Sequence, residues 1–153
     1  MIQAGVLMMP VKNYTTKVSA ARSIEAIQTA LVKHGATGML YEYEPGTGRI
    51  AALRFRLPLH EHTVSFALPV NWRQLQRVLQ EQKVARWQEE GYVYRVAWRT
   101  IHDWVMAQLA FYETAMVEMG QLFLPFAMVN ERETLYEKVV ARKFLLSDGR
   151  QEH

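Results

Sequence analysis

The sequence predicts an α+β fold: a small, mostly antiparallel sheet followed by a helical C-terminal half. Three observations carry that expectation. Across residues 38–68 apolar and polar side chains alternate with the period of a half-buried strand, and Pro45-Gly46-Thr47-Gly48 breaks the run with turn chemistry. From Asn71 onward the apolar residues recur at three- and four-residue spacing, the period of an amphipathic helix. No linker rich in Pro, Gly or Ser and no internal repeat divides the chain, so residues 13–146 read as one domain. The expected order is β-α-β-β-β followed by helices, one of them long.

Each element has its own signal. Residues 13–18 alternate Tyr14, Thr16 and Val18 against Thr15 and Lys17, which predicts a short first strand. Ser19 or Ser23 caps a helix running to Lys33, with Ile24, Ile27 and Leu31 inward and His34-Gly35 as its stop. In the hairpin that follows, Ala51, Leu53, Phe55 and Leu57 share one face of the second strand. A third strand over 63–68 turns Val64, Phe66 and Leu68 to the core. Asn71 caps a helix expected to reach Glu89, and Gly91 breaks it. The long helix is expected over 93–119, and a last helix over 133–144, with 147–153 as a frayed tail. Residues 1–12, containing Met8-Met9-Pro10, read as a loose leader without the basic start or small-residue cleavage site of a signal peptide.

Composition narrows the function. Half of the 153 residues are apolar and 22% are charged, as in a folded chain. A net charge of +3 permits contact with a polyanion without demanding it. There is no cysteine, which excludes disulfides, thiol catalysis and cysteine-ligated metal and fits a reducing cytoplasm. No apolar run approaches the ~18 residues of a membrane span, so a cytoplasmic protein without membrane contact is expected. Aspartate occurs only as Asp103 and Asp148, which weighs against an enzyme that gathers carboxylates around divalent ions. No phosphate-binding glycine loop, nucleophile elbow or triad spacing is present, and no cofactor is expected.

Three constellations remain. A bulge at the hairpin turn would bring Leu40 to the core side and set Tyr41, Tyr43, Arg54 and Arg56 on the outward face, with Lys17, Thr63 and Ser65 beside them. Aromatic rings beside cations on an open sheet hold single-stranded nucleic acid by stacking on bases and pairing with phosphates. Tyrosine–arginine pairs are also ordinary on half-exposed sheets, and a one-residue slip of register would scatter the set. Along the helices, Arg73, Arg77, Lys83, Arg86, Arg95 and Arg99 alternate with tryptophans, and Arg95 and Arg99 lie four apart on one helical face. Glu89, Glu90 and Asp103 are placed to neutralise that stretch as a surface network. His60-Glu61-His62 has metal-like spacing in an extended segment, with His34 or His102 as third ligand only by elimination. The long helix also spends Val96, Trp98, Leu109, Ala110 and Phe111 outside its main stripe; such a surplus points to a central helix or a homodimer.

Thr15-Thr16-Lys17, Ile24-Glu25-Ala26-Ile27-Gln28 and His34-Gly35-Ala36 resemble the start of small uncharacterised proteins of phages and prophages. Arg95-Val96-Ala97-Trp98-Arg99, Asp103-Trp104, Phe123-Leu124-Pro125 and Thr134-Leu135-Tyr136-Glu137 resemble the same group, so the likeness spans most of residues 15–146. The resemblance implies no catalytic residues. It implies a viral or mobile-element origin and a role in DNA replication or recombination.

The first expectation is therefore a non-enzymatic, oligomeric protein that binds single-stranded nucleic acid, DNA above all. Its site would be Tyr41, Tyr43, Arg54 and Arg56, with Lys17, Arg95 and Arg99 as supporting cations. The alternative is an interaction or structural module without nucleic-acid affinity. A third reading is a metal-dependent hydrolase or nuclease built on His60, Glu61 and His62.

Overall fold

Three strands pair in chain order in the computed structural model, which describes residues 9–145. Strands β1 (Gly38–Tyr43), β2 (Ile50–Leu59) and β3 (His62–Pro69) form an antiparallel sheet. Around them in sequence come α1 (Ala20–Lys33), α2 (Trp72–Glu81), α3 (Glu90–Glu113), α4 (Met119–Phe123), a 3-10 turn (Leu124–Phe126) and α5 (Leu135–Ala141). The class is α+β with one long helix, as the periodicity predicts.

The backbone gathers into two compact units. One comprises the chain up to His34 together with Val70–Ala110, the other Gly35–Pro69 together with the chain from Phe111. Each is assembled from two separated stretches of chain, so no single linker marks a boundary between them.

In the first unit, Ser19 caps α1 by accepting the Arg22 N–H at 3.2 Å, and Ile27 and Leu31 are buried. Gly35 follows the helix with φ +105°, a conformation that β-carbon sterics disfavour in other residues. Asn71 caps α2 through the Gln74 N–H. Trp72, Leu79, Tyr92, Val93, Val96 and Ala97 form one buried cluster. Trp98 and Leu109 are buried too, so most of the long helix's surplus apolar surface is spent inside the chain, while Phe111 stays exposed. Helix α2 stops at Glu81 rather than Glu89, because Lys83 turns left-handed at φ 58°.

The expected first strand is absent. Residues 12–15 form turns, Asn13 is left-handed at φ 69°, and the Tyr14 and Thr16 N–H groups bond back to the Val11 and Asn13 carbonyls. The physical reason is local and tertiary together. Asn tolerates the left-handed region, and its side-chain amide donates to Asp103 at 2.9 Å while the Tyr92 hydroxyl donates to the Tyr14 carbonyl at 2.5 Å. The end of the expected leader is held as well: the Val11 N–H donates to the Gln82 side chain, and Lys12 pairs with Asp103. Residues 1–8 of that leader and the expected tail over 147–153 lie outside the described residues.

In the second unit the inner sheet face packs an aromatic trio. Phe55 stacks on Phe66 at 5.4 Å, and Phe123 of α4 meets both edge-on at 5.3 and 6.0 Å. Helix α3 ends at Glu113 instead of 119. Ala115 is left-handed, and the Thr114 hydroxyl donates to the Phe111 carbonyl while accepting the Met116 N–H, which offers the backbone an alternative to the helix. After the 3-10 turn the chain runs along the free side of β3: Ala127 bridges Phe66, and the Met128 N–H donates to the Ser65 carbonyl at 2.8 Å. A reciprocal capping box between Thr134 and Glu137 then starts α5, shorter than the expected 133–144. No helix among the described residues is long and apolar enough to cross a membrane.

Candidate nucleic-acid interface

Strand register decides what the sheet presents. Met39 faces Phe55, Leu40 faces Arg54, and Tyr41 faces Leu53. Residues directly opposite on antiparallel strands share a face, so Tyr41 stands on the core side with Leu53 and Phe55, and Leu40 stands outside with Arg54. The bulge does exist, but it falls between Glu42 and Tyr43, where Tyr43 comes to face the buried Ile50. It lies beyond Leu40 and so does not bring that residue inward. The expected platform is therefore split: Arg54 and Arg56 are on the outer face, the two tyrosines on the inner. Burial raises the Tyr41 phenol pKa, and the neighbouring Tyr43 adds to the rise, as expected for two rings on one side of the strand. Leu40, expected inside, is 57% exposed.

The other expected cations belong to the first unit. Arg99 pairs with Asp103 at 3.8 Å, and Arg95 lies over the Tyr92 ring at 5.8 Å. Lys17 is exposed in the segment before α1. Arg73 sits over Trp72 and near Glu90, and Arg86 binds Glu89 through two hydrogen bonds. This stretch reads as an internal network. His60 is not in an extended segment but in the tight β2–β3 turn at φ 55°, with Glu118 at 3.5 Å, so it does not share a strand with His62. His34 bonds to the Ala30 carbonyl and His102 to Asp103. Among the described residues no group of three His, Cys, Asp or Glu side chains is close enough to hold a metal ion.

What the outer face does assemble is a hollow of about 320 Å³. Its floor is small: Ala51 and Ala52 from β2, Ala67 and Pro69 from β3. Phe126, Met128 and Tyr136 wall it, and Arg54 and Arg132 reach into it with Thr134 and Glu137. The construction follows from the chain. Alanines on the outer positions leave depth, the bridge at Ala127 lays Met128 beside β3, and the capping box fixes the start of α5 so that Tyr136, 55% exposed, stands over the rim. Asn130 accepts the Arg132 and Glu133 N–H groups at 2.8 and 3.0 Å, which orders the turn carrying Arg132. The Glu137 carboxylate is occupied by the Thr134 N–H and hydroxyl. Arg54 is held by Glu42 at 3.0 Å. A second depression shares Arg54 and extends past Leu40, Arg56 and Ser65.

Sequence reasoning missed Arg132 and Tyr136. The Thr134–Glu137 capping signature was visible, but nothing local says that this turn returns to the sheet. A larger hollow of about 740 Å³ lies beside the β2–β3 turn, where the acids Glu113 and Glu118 have the wrong sign for a phosphate. Comparison with protein-family models, curated proteins and solved structures found no match.

Proposed function

We propose that the outer face of the β1–β3 sheet binds single-stranded nucleic acid. The observation that supports this best is the meeting of Arg54, Arg132 and Tyr136 over a floor of small side chains. A hollow at the lower end of the roughly 300–1,000 Å³ range of ligand sites suits one nucleotide rather than a large cofactor. The base rests on the alanine floor beside Tyr136, and the two guanidinium groups meet phosphates, each planar fork offering paired donors to phosphate oxygens. Recognition by stacking and charge is tolerant of sequence. The site differs from the sequence expectation in its aromatic, Tyr136 in place of Tyr41 and Tyr43, and keeps Arg54.

From the phage resemblance the same proposal takes DNA as the strand, replication or recombination as the setting, and the cytoplasm as the compartment. It assigns no catalytic residue. Fluorescence-anisotropy titration of a labelled ~30-nucleotide single strand, repeated at several salt concentrations and against duplex, tests it. Single-strand binding that weakens with salt, and that is weaker and less salt-dependent in Arg54→Ala/Arg132→Ala, is the expected result. No binding at low salt would refute it.

A further inference from the structure

The two edges of the sheet are not equivalent. The chain itself covers the outer edge of β3, through the Phe66–Ala127 bridge and the Met128–Ser65 hydrogen bond. Beside β1 no strand of the described residues lies. An edge strand left open is a template for another strand, and proteins that avoid such pairing place lysine, proline or a bulge on it. From Gly38 to Glu42 the strand has none of these; its bulge comes only between Glu42 and Tyr43.

The outer face at this edge carries an unusual arrangement. A β-carbon on Gly38 would stand 2.6 Å from the Arg56 guanidinium. The arginine of β2 therefore lies across the glycine of β1, with its charge at the rim of the sheet. A β-carbon there would push the flexible end of the arginine aside. Four residues along, Glu42 is the one charged side chain of β1, and midway between them sits exposed Leu40.

We propose that two copies of this chain pair antiparallel through β1, about a two-fold axis at Leu40, joining two three-stranded sheets into one. An axis perpendicular to the sheet keeps inner face with inner face, so it must pass midway between the two copies of one residue, and each position then meets the one equally far on the other side. Centred on Leu40, Gly38 meets Glu42 of the second copy, and Met39 meets Tyr41. Arg56, already lying over Gly38, then reaches the second copy's Glu42, and symmetry makes this contact twice. Leu40 meets its own equivalent between them. Centred instead on Tyr41, Leu40 faces a glutamate, and the acid opposite Gly38 is Glu44, past the end of the strand and held by the Thr47 hydroxyl in the hairpin turn. Charge complementarity thus selects the occupant, a second copy, and the match of exposed Leu40 with its own equivalent rather than with a glutamate selects the register. The inference does not rest on the nucleic-acid reading.

Sedimentation of the full chain across a concentration series tests it with a charge exchange. The wild type is expected to form dimers, while Arg56→Glu and Glu42→Arg each place like charges together at both contacts and are expected to be monomeric. Mixed one to one, these two variants restore an opposite-charge pair at each contact, and the dimer should return. Leu40→Lys, a change at an exposed position, should also give monomers. Circular dichroism of each variant separates dissociation from unfolding. In the wild type, amide exchange of β1 should quicken on dilution while that of β3 stays constant, a readout that needs no variant. A monomeric wild type at high concentration, variants that remain dimeric, or folded variants whose mixture stays monomeric would each overturn the proposal.

Discussion

Removing Arg54 and Arg132 should change the salt dependence of strand binding in a countable way. For single strands the slope of log K against log salt is about −0.7 for each phosphate neutralised, so two guanidinium contacts contribute roughly −1.4. Over a fourfold rise, from roughly 50 to 200 mM salt, that corresponds to about a sevenfold loss of affinity; with one contact left, to about threefold. Arg54→Ala and Arg132→Ala should each make the slope shallower by about 0.7, and the double variant by about 1.4. At fixed salt Arg132 should matter more. Arg54 begins paired with Glu42 at 3.0 Å, and breaking a half-exposed pair of this kind offsets up to about 1 kcal/mol of what the phosphate returns. Tyr136→Ala should behave differently: loss of one stacking surface costs about 1–3 kcal/mol, roughly fivefold to a hundredfold and more, with the slope unchanged. Anisotropy titrations at four or more salt concentrations read intercept and slope separately. An unchanged slope in folded Arg54→Ala/Arg132→Ala would refute the assignment of these residues to phosphates.

Tyr41→Ala and Tyr43→Ala should leave strand affinity within about twofold, because both rings stand on the face opposite the arginines; a large loss in titrations of Tyr43→Ala, the more exposed of the two, would move the site to the inner face. Asp103 accepts from Lys12, Asn13 and His102. Burial works against its ionisation, but those hydrogen bonds outweigh it and hold the carboxyl well below the usual carboxylate range. A group whose folded pKa is depressed adds stability that is present above its unfolded pKa, near 3.9, and is lost as pH falls toward the folded value. Chemical denaturation should therefore show wild type losing stability below about pH 4 more steeply than Asp103→Asn, which should itself cost about 1–3 kcal/mol at neutral pH.

The sequence carried the elements further than it carried their ends or faces. The strand pattern of β2 and β3 was legible because Leu53, Phe55, Leu57, Phe66 and Leu68 alternate, and all of them are buried. The stop at Gly35 was legible because glycine there has a conformational reason. The ends of α2 and α3 were not, since Lys83 and Ala115 adopt left-handed backbone without glycine or proline to announce it. The failed first strand shows the same limit: six residues of alternation yielded to contacts with Asp103 and Tyr92, ninety and seventy-eight positions away. For the site, one question of register decided the outcome. From Met39 the strand β1 reads Met-Leu-Tyr-Glu-Tyr, in which Leu40 and Tyr41 compete for the inward position, and the sheet turns half-buried Tyr41 inward opposite Leu53 while leaving Leu40 outside. No local rule ranks those two choices. The return of Arg132 and Tyr136 to the same face is a tertiary fact, set by the edge bridge at Ala127.

Glu42 connects the two proposals. Its carboxylate holds Arg54 of its own chain, and in the dimer it also meets Arg56 of the second copy. An ionised carboxylate has acceptor sites for both, but the second guanidinium draws on the same charge and weakens the hold on the first. A phosphate arriving at Arg54 then displaces less. Dimer formation and strand binding should therefore favour one another, and by reciprocity each raises the other's affinity by the same factor. Glu42→Gln separates the two effects. It removes the competitor of the phosphate and the partner of Arg56 in one step, so the monomer should bind a single strand more tightly while the dimer dissociates more readily. Anisotropy at dilute protein and sedimentation at high concentration measure the two sides independently. If Glu42→Gln weakened strand binding by the folded monomer, Glu42 would be a support for Arg54 rather than its competitor, and the coupling would have no basis.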